Sequence, residues 1–289
     1  MNREVKYLMP AYKVDMGGIP LKQALPTNHV EQVDPFLLLH HAKFKYREDS
    51  PALHQGIGPH PHRGFSPVTF VVDGEVHHRD SRGNSQIAKQ GDVQWMNAGA
   101  GIIHSERPSQ ALAERNGTQE IIQLWINTPA AKKMQEPKYQ FLPERDMPVF
   151  TSADQLVSNK LIAGKYNNLQ SKIQTESELL IVWAIVKGGG SQTYQLPELF
   201  NAMLYVIKGT IKISGYGKVD NETLVVFEKG GEAIQITTET NAQFLLLSGT
   251  PINEKVAQQG PFVMNTTTEI LEAFRDYRMG KMGILIEER

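Results

Sequence analysis

Two short segments contain the residue types and the spacing from which a metal site can be built. His60 and His62 lie in GPHPHRGF, and His104 and Glu106 lie in AGAGIIHSERP. In a β-strand, residues i and i+2 point to the same face, so each pair would direct both side chains to one side. Three imidazoles and one carboxylate suit a divalent Fe, Mn, Co, Ni, Cu or Zn ion, and an octahedral ion would keep two open positions.

A plainer interpretation of His-Pro-His is a solvent-exposed loop, because a lone pair of this kind is weak evidence for a metal. The second pair strengthens the metal hypothesis, since Gly99 and Gly101 before it let the backbone bend and approach closely. Pro61 cannot donate to a β-ladder and would occupy a strand start or an edge. Arg63 would either pair with a carboxylate near the metal or form an ordinary surface salt bridge.

The other histidines have weaker cases as ligands. All nine histidines lie within the first 104 residues, so an imidazole site can exist only in the N-terminal half. His77 and His78 would alternate between the two faces of a strand, and at most one of them would face the interior of a barrel. His40 and His41 follow the apolar run PFLLL, and one of them is a candidate for the core.

The composition excludes several classes of function. The 289-residue chain has no cysteine, which rules out disulfides, thiolate metal ligands and cysteine nucleophiles. Its 30 lysines and arginines against 31 acidic residues give a net charge of −1, which provides no electrostatic attraction for nucleic acid or an anionic membrane. The N-terminal segment lacks the layout of a signal peptide, and no apolar run has the length of a membrane helix, so we expect a cytoplasmic protein.

Short strand-like runs dominate both halves of the chain. Examples are VTFVVDGEVHHRDS and AMLYVIKGTIKIS, which are rich in β-branched and aromatic residues and contain glycine turns. The two halves have weak sequence similarity to each other, which predicts two similar antiparallel β-domains. We place the first domain at residues 1–130, a linker at 131–149 and the second domain at 150–289. The segment NTTTEILEAFRDYRMGKMG predicts a C-terminal helix with a threonine cap and Gly280 as its stop.

Five separated segments resemble motifs of the pirin family of bicupins. They are DPFLLL, PHPHRGF, GEVHHRDSRGNS, GDVQWMNAGAGIIHSE and GPFVMNTTTEI, in this order over nearly the whole chain. The resemblance implies an all-β bicupin of two antiparallel jelly-roll barrels with a C-terminal helix. It also implies a metal in the N-terminal barrel, bound by His60, His62, His104 and Glu106. We expect one divalent ion, with Fe(II) favoured and Mn, Co, Ni, Cu or Zn as alternatives.

The resemblance also implies a function. Some pirins act as quercetin 2,3-dioxygenases, which open a flavonol ring with O₂ and release carbon monoxide. The implied partners are a flavonol-like small molecule and O₂, and Glu106 would be the base that takes a proton from the substrate hydroxyl. The alternative is an iron-binding, redox-sensitive coregulator that binds a protein partner such as a transcription factor or a metabolic enzyme. We expect no imidazole metal site in the second domain.

Overall fold

The computed structural model describes residues 1–287, which form a predominantly antiparallel β-structure. The strands of the first half are β1 Val5–Pro10, β2 Tyr12–Met16, β3 Ile19–Leu25, β4 Phe36–Lys45, β5 Ile57–His62, β6 Phe65–Asp73, β7 Glu75–Asp80, β8 Ser85–Lys89, β9 Val93–Asn97, β10 Ile102–Arg107, β11 Thr118–Asn127, β12 Lys138–Leu142 and β13 Val149–Thr151. Those of the second half are β14 Val157–Ala163, β15 Lys165–Tyr166, β16 Leu169–Gln170, β17 Leu179–Val186, β18 Ser191–Gln195, β19 Asn201–Lys208, β20 Thr210–Ile213, β21 Gly217–Asp220, β22 Thr223–Phe227, β23 Ala233–Thr237, β24 Ala242–Gly249, β25 Ala257–Gln259 and β26 Phe262–Met264.

Helices are few. The α-helices are α1 Gln110–Glu114 and α2 Thr267–Arg278, and 3₁₀-helices occur at Ala52–His54, Ala130–Lys132 and Glu144–Asp146. No helix within residues 1–287 is long and apolar enough to cross a membrane. The predicted all-β class with a C-terminal helix is confirmed.

The chain divides into two compact units, and each is discontinuous in sequence. The N-terminal unit contains residues 14–21, 38–144 and 252–289, and the C-terminal unit contains residues 1–13, 22–37 and 145–251. The sequence prediction placed 150–289 in one domain after a linker at 131–149. In the structure, residues 252–287 instead group with the unit that contains 38–144.

The C-terminal unit consists mainly of two antiparallel sheets around an apolar interior. One sheet has the strand order β1–β22–β19–β24–β17–β14–β13, and the other has the order β18–β23–β20–β21. Alternation along the strands directs apolar side chains of both sheets into one buried cluster, which includes Val182 and Phe244 from the first sheet and Tyr194 and Ile236 from the second. Burial of this apolar surface stabilises the unit by about 25 cal/mol per Å².

In the N-terminal unit, one four-stranded sheet brings the two sequence motifs together. Its strand order is β5–β10–β7–β8, beside a second sheet of order β12–β9–β6–β11–β4–β3–β2. On β10, His104 pairs with His60 of β5 on one side and with Asp80 of β7 on the other. Glu106 lies opposite His78 of β7. Residues directly opposite in adjacent strands project to the same face, so these side chains share one face of the sheet.

Helix α2 begins and ends as the sequence predicts. The hydroxyl of Thr266 accepts a hydrogen bond from the amide of Glu269, and the Glu269 carboxylate accepts one from the Thr266 amide, which is a capping box. Gly280 follows the last turn in the left-handed region, at φ 73°. Ile270 and Phe262 are buried in an apolar cluster against which Ile103 of β10 packs. This contact is one reason why the C-terminal segment belongs to the N-terminal unit.

Arg63, directly after the first histidine pair, forms a buried ion pair with α2. Its Nη1 and Nη2 each lie 3.1 Å from Asp276 Oδ2, and its Nε donates to the Ala100 carbonyl at 2.7 Å. The hydrogen bond from Lys281, aided by Arg63, lowers the pKa of Asp276 to about 2. The surface salt bridge considered from the sequence is therefore wrong, because Arg63 is only 4% exposed.

Lys133 is a buried side chain that joins three separate segments of the N-terminal unit. Its Nζ donates to the Gly64 carbonyl at 2.6 Å, to Asn127 Oδ1 at 2.6 Å and to the Val263 carbonyl at 3.1 Å. These acceptors lie in the turn after β5, at the end of β11 and in β26. Burial lowers the pKa of Lys133 to about 8.

The substitution Lys133→Met tests this burial through the pH dependence of stability. An unfolded lysine has a pKa near 10.4, so between about pH 8 and about pH 10 the unfolded chain binds more protons at this residue than the folded chain. The contribution of Lys133 to the free energy of unfolding therefore rises with pH in this window. We expect the difference between wild type and Lys133→Met, measured by urea titration, to increase in favour of wild type from about pH 7.5 to about pH 9.5. Lys138→Met, at an exposed lysine, should show a constant difference, and the same constancy for Lys133→Met would contradict the prediction.

The substitution Asp276→Asn tests the anchoring of α2. It leaves the Arg63 guanidinium buried without its carboxylate, and loss of one partner of a buried pair costs about 3 kcal/mol. We expect a decrease of this size in the free energy of unfolding, measured by urea titration. Glu272→Gln, at an exposed residue of the same helix, should change it by less than about 0.5 kcal/mol. Equal effects of the two variants would show that the ion pair does not anchor the helix.

Candidate metal centre

Three histidine side chains converge on the shared face of the β5–β10–β7–β8 sheet. One ring nitrogen each of His60, His62 and His104 lies within 4.8 Å of those of the other two. The ring centroids of His60 and His104 are 4.3 Å apart, those of His60 and His62 are 4.7 Å apart, and those of His62 and His104 are 4.9 Å apart. Strand pairing between β5 and β10 therefore brings together residues that are about forty positions apart in sequence.

Hydrogen bonds to the backbone orient two of the three imidazoles. His60 Nδ1 lies 2.8 Å from the Gly58 carbonyl, and His62 Nδ1 lies 3.2 Å from the carbonyl of Pro261, in the turn before β26. A carbonyl oxygen only accepts, so each of these nitrogens carries the proton and donates it. The lone pair of a neutral imidazole is then on Nε2, which is the atom left to bind a metal.

His104 has the clearest requirement for a ligand. Its Nδ1 lies 3.4 Å from Nδ1 of His78, whereas its Nε2 is buried and has no hydrogen-bond partner within the described residues. An unsatisfied buried polar atom costs about 1–3 kcal/mol. A cation bound by three imidazole nitrogens would satisfy this atom, and imidazole is a ligand that divalent transition metals accept readily. The residues present therefore fit such a metal.

The three histidines are also kept neutral. Burial lowers the pKa of His62 and of His104 well below the ordinary value of 6.5, and it lowers the pKa of His60 as well. Metal ligands must be deprotonated, so neutral rings are the form that a metal requires. Near pH 7 no proton has to be displaced from Nε2 before an ion can bind.

Glu106, the fourth residue of the predicted set, lies beside the histidine cluster but is not part of it. Its side chain is buried, and its Oε1 accepts a hydrogen bond from Thr69 Oγ1 at 2.8 Å. Thr69 lies 2.8 Å from Gln123 Oε1 as well. The structure thus brings three of the four predicted ligands together. Thr69 of β6 holds the Glu106 carboxylate next to them. Thr69 and Gln123 were not identified from the sequence, because they share no motif with the histidines.

A cavity of about 730 Å³ opens at the histidines. His60, His62 and Glu106 contribute to its lining, and its other walls are largely apolar. The apolar wall residues include Ile19, Leu21, Leu38, Phe44, Ile121 and Trp125. Its polar wall residues include Gln119 and Gln123, and neither lysine nor arginine is among the described residues that line it. The volume lies within the range of small-molecule sites.

Among the remaining histidines, His40 is half-buried and His78 is buried. His40 lines the cavity, and burial lowers its pKa to about 4, so it is neutral at pH 7. His78 is buried behind His104, with its Nε2 3.0 Å from Asp80 Oδ2. His77 faces the opposite side of β7 and contacts Ser85 Oγ at 2.9 Å. The sequence could not tell which of the two neighbours faces inward, although Asp80, at i+2 from His78, was a usable signal.

Comparison with known proteins assigns the chain to a family. The family model described as Pirin matches residues 18–126, and the one described as Pirin C-terminal cupin domain matches residues 182–283. The chain belongs to the pirin family. A pirin-like protein of Solanum lycopersicum is 35% identical to this pirin over 285 residues, which cover 96% of this chain and 92% of the relative.

Solved structures agree with the assignment to the pirin bicupin fold. A crystal structure titled quercetin 2,3-dioxygenase from Acinetobacter baumannii has a TM-score of 0.91 and 33% identity, and the match covers 99% of this pirin and 100% of that chain. A bacterial pirin from Escherichia coli in complex with nickel(II) has a TM-score of 0.69 and 18% identity, with 85% and 99% covered. The second likeness supports the fold alone.

The substitution His62→Ala tests whether the cluster binds a metal. It removes one of the three converging nitrogens, and we expect the bound metal to fall from about one ion per chain to less than about a tenth of that, because each lost imidazole removes one coordination bond. The measurement is elemental analysis of purified protein after dialysis. His29→Ala, at an exposed histidine, should retain the full stoichiometry. Retention of the metal by His62→Ala would show that it binds elsewhere.

Proposed function

We propose that this pirin is a metal-dependent dioxygenase of the quercetin 2,3-dioxygenase type, which opens a flavonol ring with O₂. The observation that carries the proposal is the convergence of three neutral imidazoles, two of which, His60 and His62, line a largely apolar cavity of about 730 Å³. Small-molecule sites combine apolar walls with a few well-placed polar groups. The likeness to a structure titled quercetin 2,3-dioxygenase supports the reaction type.

The walls suit a flat, neutral and largely apolar substrate. Phe44 and Trp125 offer aromatic surfaces, and Gln123 offers an amide group that can bond to a ring hydroxyl. A substrate with a carboxylate or a phosphate would need a lysine or an arginine as its partner, and the described lining residues include neither. A flavonol meets these requirements through its planar ring system and its phenolic hydroxyls.

The proposed metal ligands are His60, His62, His104 and Glu106, with Fe(II) favoured as the ion. A divalent ion held there would supply Lewis acidity, which lowers the pKa of a hydroxyl group bound beside it. Glu106 would accept the proton of the substrate hydroxyl, and the hydrogen bond from Thr69 would hold its carboxylate in position for this transfer. Each neutral imidazole has a single lone pair, which the ion would engage, so the imidazoles cannot serve as this base, whereas the Glu106 carboxylate has a second oxygen.

The experiment combines metal analysis with a flavonol assay on the same sample. Wild-type protein loaded separately with Fe(II), Mn(II), Co(II) and Ni(II) is mixed with quercetin under air, and quercetin loss and carbon monoxide are measured. Glu106→Gln should lower turnover per bound metal by at least about 100-fold, because general-base catalysis contributes about 10²–10⁴-fold. Glu114→Gln, at an exposed residue of α1, should keep wild-type turnover.

One outcome would contradict the proposed function, and another would contradict the proposed role of Glu106. Full metal loading without flavonol turnover for any of the four ions would exclude the dioxygenase function. Unchanged turnover per bound metal in Glu106→Gln would exclude Glu106 as the base, and it would leave the reaction to be initiated by another group.

A further inference from the structure

A pair of buried side chains on β7 connects to His104 and has no place in the function described so far. His78 is 2% exposed and Asp80 is 3% exposed, and both lie on the sheet face that carries the histidine cluster. His78 Nδ1 lies 3.4 Å from His104 Nδ1, and His78 Nε2 lies 3.0 Å from Asp80 Oδ2. A continuous series of contacts therefore runs from His104 through His78 to Asp80.

We propose that His78 and Asp80 are positioning residues that set the tautomer of His104, so that its Nε2 presents a lone pair to a metal. The inference rests on the proposed metal site but not on flavonol turnover. Neither residue would touch the ion or the substrate, since each acts through His104.

The direction of the hydrogen bonds follows from the acceptor at the end of the series. An ionised carboxylate only accepts, so His78 must carry its proton on Nε2 and donate it to Asp80. His104 Nε2 has no acceptor among the described residues, so the single proton of a neutral His104 belongs on Nδ1, and the lone pair that accepts it is on His78 Nδ1. His104 is left with an unprotonated Nε2, which is the buried atom that has no hydrogen-bond partner within residues 1–287.

Asp80 is held in the orientation and charge state that this series needs. Its Oδ1 accepts from the backbone amides of Arg82 and Asn84 at 2.9 and 3.1 Å, and its Oδ2 accepts from Asn84 Nδ2 at 2.8 Å. Although burial raises the pKa of Asp80, the hydrogen bonds from His78 and Asn84 outweigh it and lower the pKa below its usual range. Tyr139 stacks on the His78 ring, with centroids 4.2 Å apart and planes 13° apart, and keeps that ring in place.

His104 differs in this respect from the other two histidines of the cluster. Backbone carbonyls set the tautomers of His60 and His62, and no side-chain substitution changes those acceptors. The tautomer of His104 depends instead on two side chains. Contacts of this indirect kind typically change metal affinity by about 10–100-fold when they are lost.

The substitution Asp80→Asn should reverse the donor and acceptor roles in the hydrogen bonds from His104 through His78 to residue 80. The backbone amides of Arg82 and Asn84 both donate to the Oδ1 position, so the asparagine oxygen should remain there, with its NH₂ group facing His78 and the Asn84 side chain, whose amide must turn to present its oxygen. His78 Nε2 then accepts, His78 Nδ1 donates to His104 Nδ1, and the proton of His104 moves to Nε2. This proton blocks the atom that would bind the metal.

The experiment uses metal-free, full-length protein labelled with ¹⁵N at histidine, together with titration by Ni²⁺. Long-range ¹H–¹⁵N spectra report which ring nitrogen carries the proton. We expect the Nδ1–H form of His104 in wild type and the Nε2–H form in Asp80→Asn, with Ni²⁺ affinity about 10–100-fold lower in the variant. His77→Gln, on the opposite face of β7, should leave both the tautomer and the affinity unchanged.

A second variant separates positioning from mere support of the fold. In His78→Gln, the amide NH₂ can donate to Asp80 and the amide oxygen can accept from His104, so the polarity of the series is kept. We expect the Nδ1–H form of His104 and a Ni²⁺ affinity within about threefold of wild type, even where the melting temperature falls.

Several results would overturn the proposal. An Nε2–H form of His104 in wild type would overturn it without any variant. A folded Asp80→Asn protein that keeps the Nδ1–H form and wild-type Ni²⁺ affinity would also overturn it. So would an Nε2–H form of His104 in His78→Gln. Failure of wild type to bind Ni²⁺ would instead contradict the metal site itself, while the spectra would still report the tautomer.

Discussion

The convergence of three imidazoles, buried at His62 and His104 and half-buried at His60, with one ring nitrogen of each within 4.8 Å of the others, is the constraint on which the N-terminal unit depends. Each neutral ring has one donor and one acceptor nitrogen, and each buried polar atom needs a partner. The structure meets this need at Nδ1 with two backbone carbonyls and with His78. One ring nitrogen of each histidine then lies within 4.8 Å of those of the other two, an arrangement that a divalent cation would fit.

The C-terminal segment is part of this arrangement rather than an appendage. The Pro261 carbonyl orients His62, and Asp276 of α2 forms an ion pair with Arg63, the residue that follows His62. The Val263 carbonyl accepts a hydrogen bond from Lys133. Residues 261–276 therefore help to hold the strand that carries the first histidine pair. A change in this segment would therefore act on the imidazoles through these hydrogen bonds.

Strand alternation places different kinds of side chain on the inward faces of the two units. In the C-terminal unit, inward-facing positions are occupied by an apolar cluster that includes Tyr194 and Phe244, which stabilises by burial. In the N-terminal unit, β5, β10 and β7 place histidine and carboxylate side chains on the inward face, and β3, β4 and β11 contribute apolar walls. Metal chemistry and an apolar cavity are thus adjacent in one unit.

The sequence by itself determined the local features of this pirin. Strand alternation predicts that His60 and His62 share a face and that His104 and Glu106 share one, and glycine turns and a threonine cap predict the all-β class and α2. These features depend on residues close together in the chain. Only the tertiary structure decided that His78 rather than His77 faces inward, because alternation defines two faces but not which one is buried. It also paired Arg63 with Asp276, 213 residues later, and placed 252–287 in the N-terminal unit. Such pairings depend on which distant surfaces bury each other, and no local pattern encodes that.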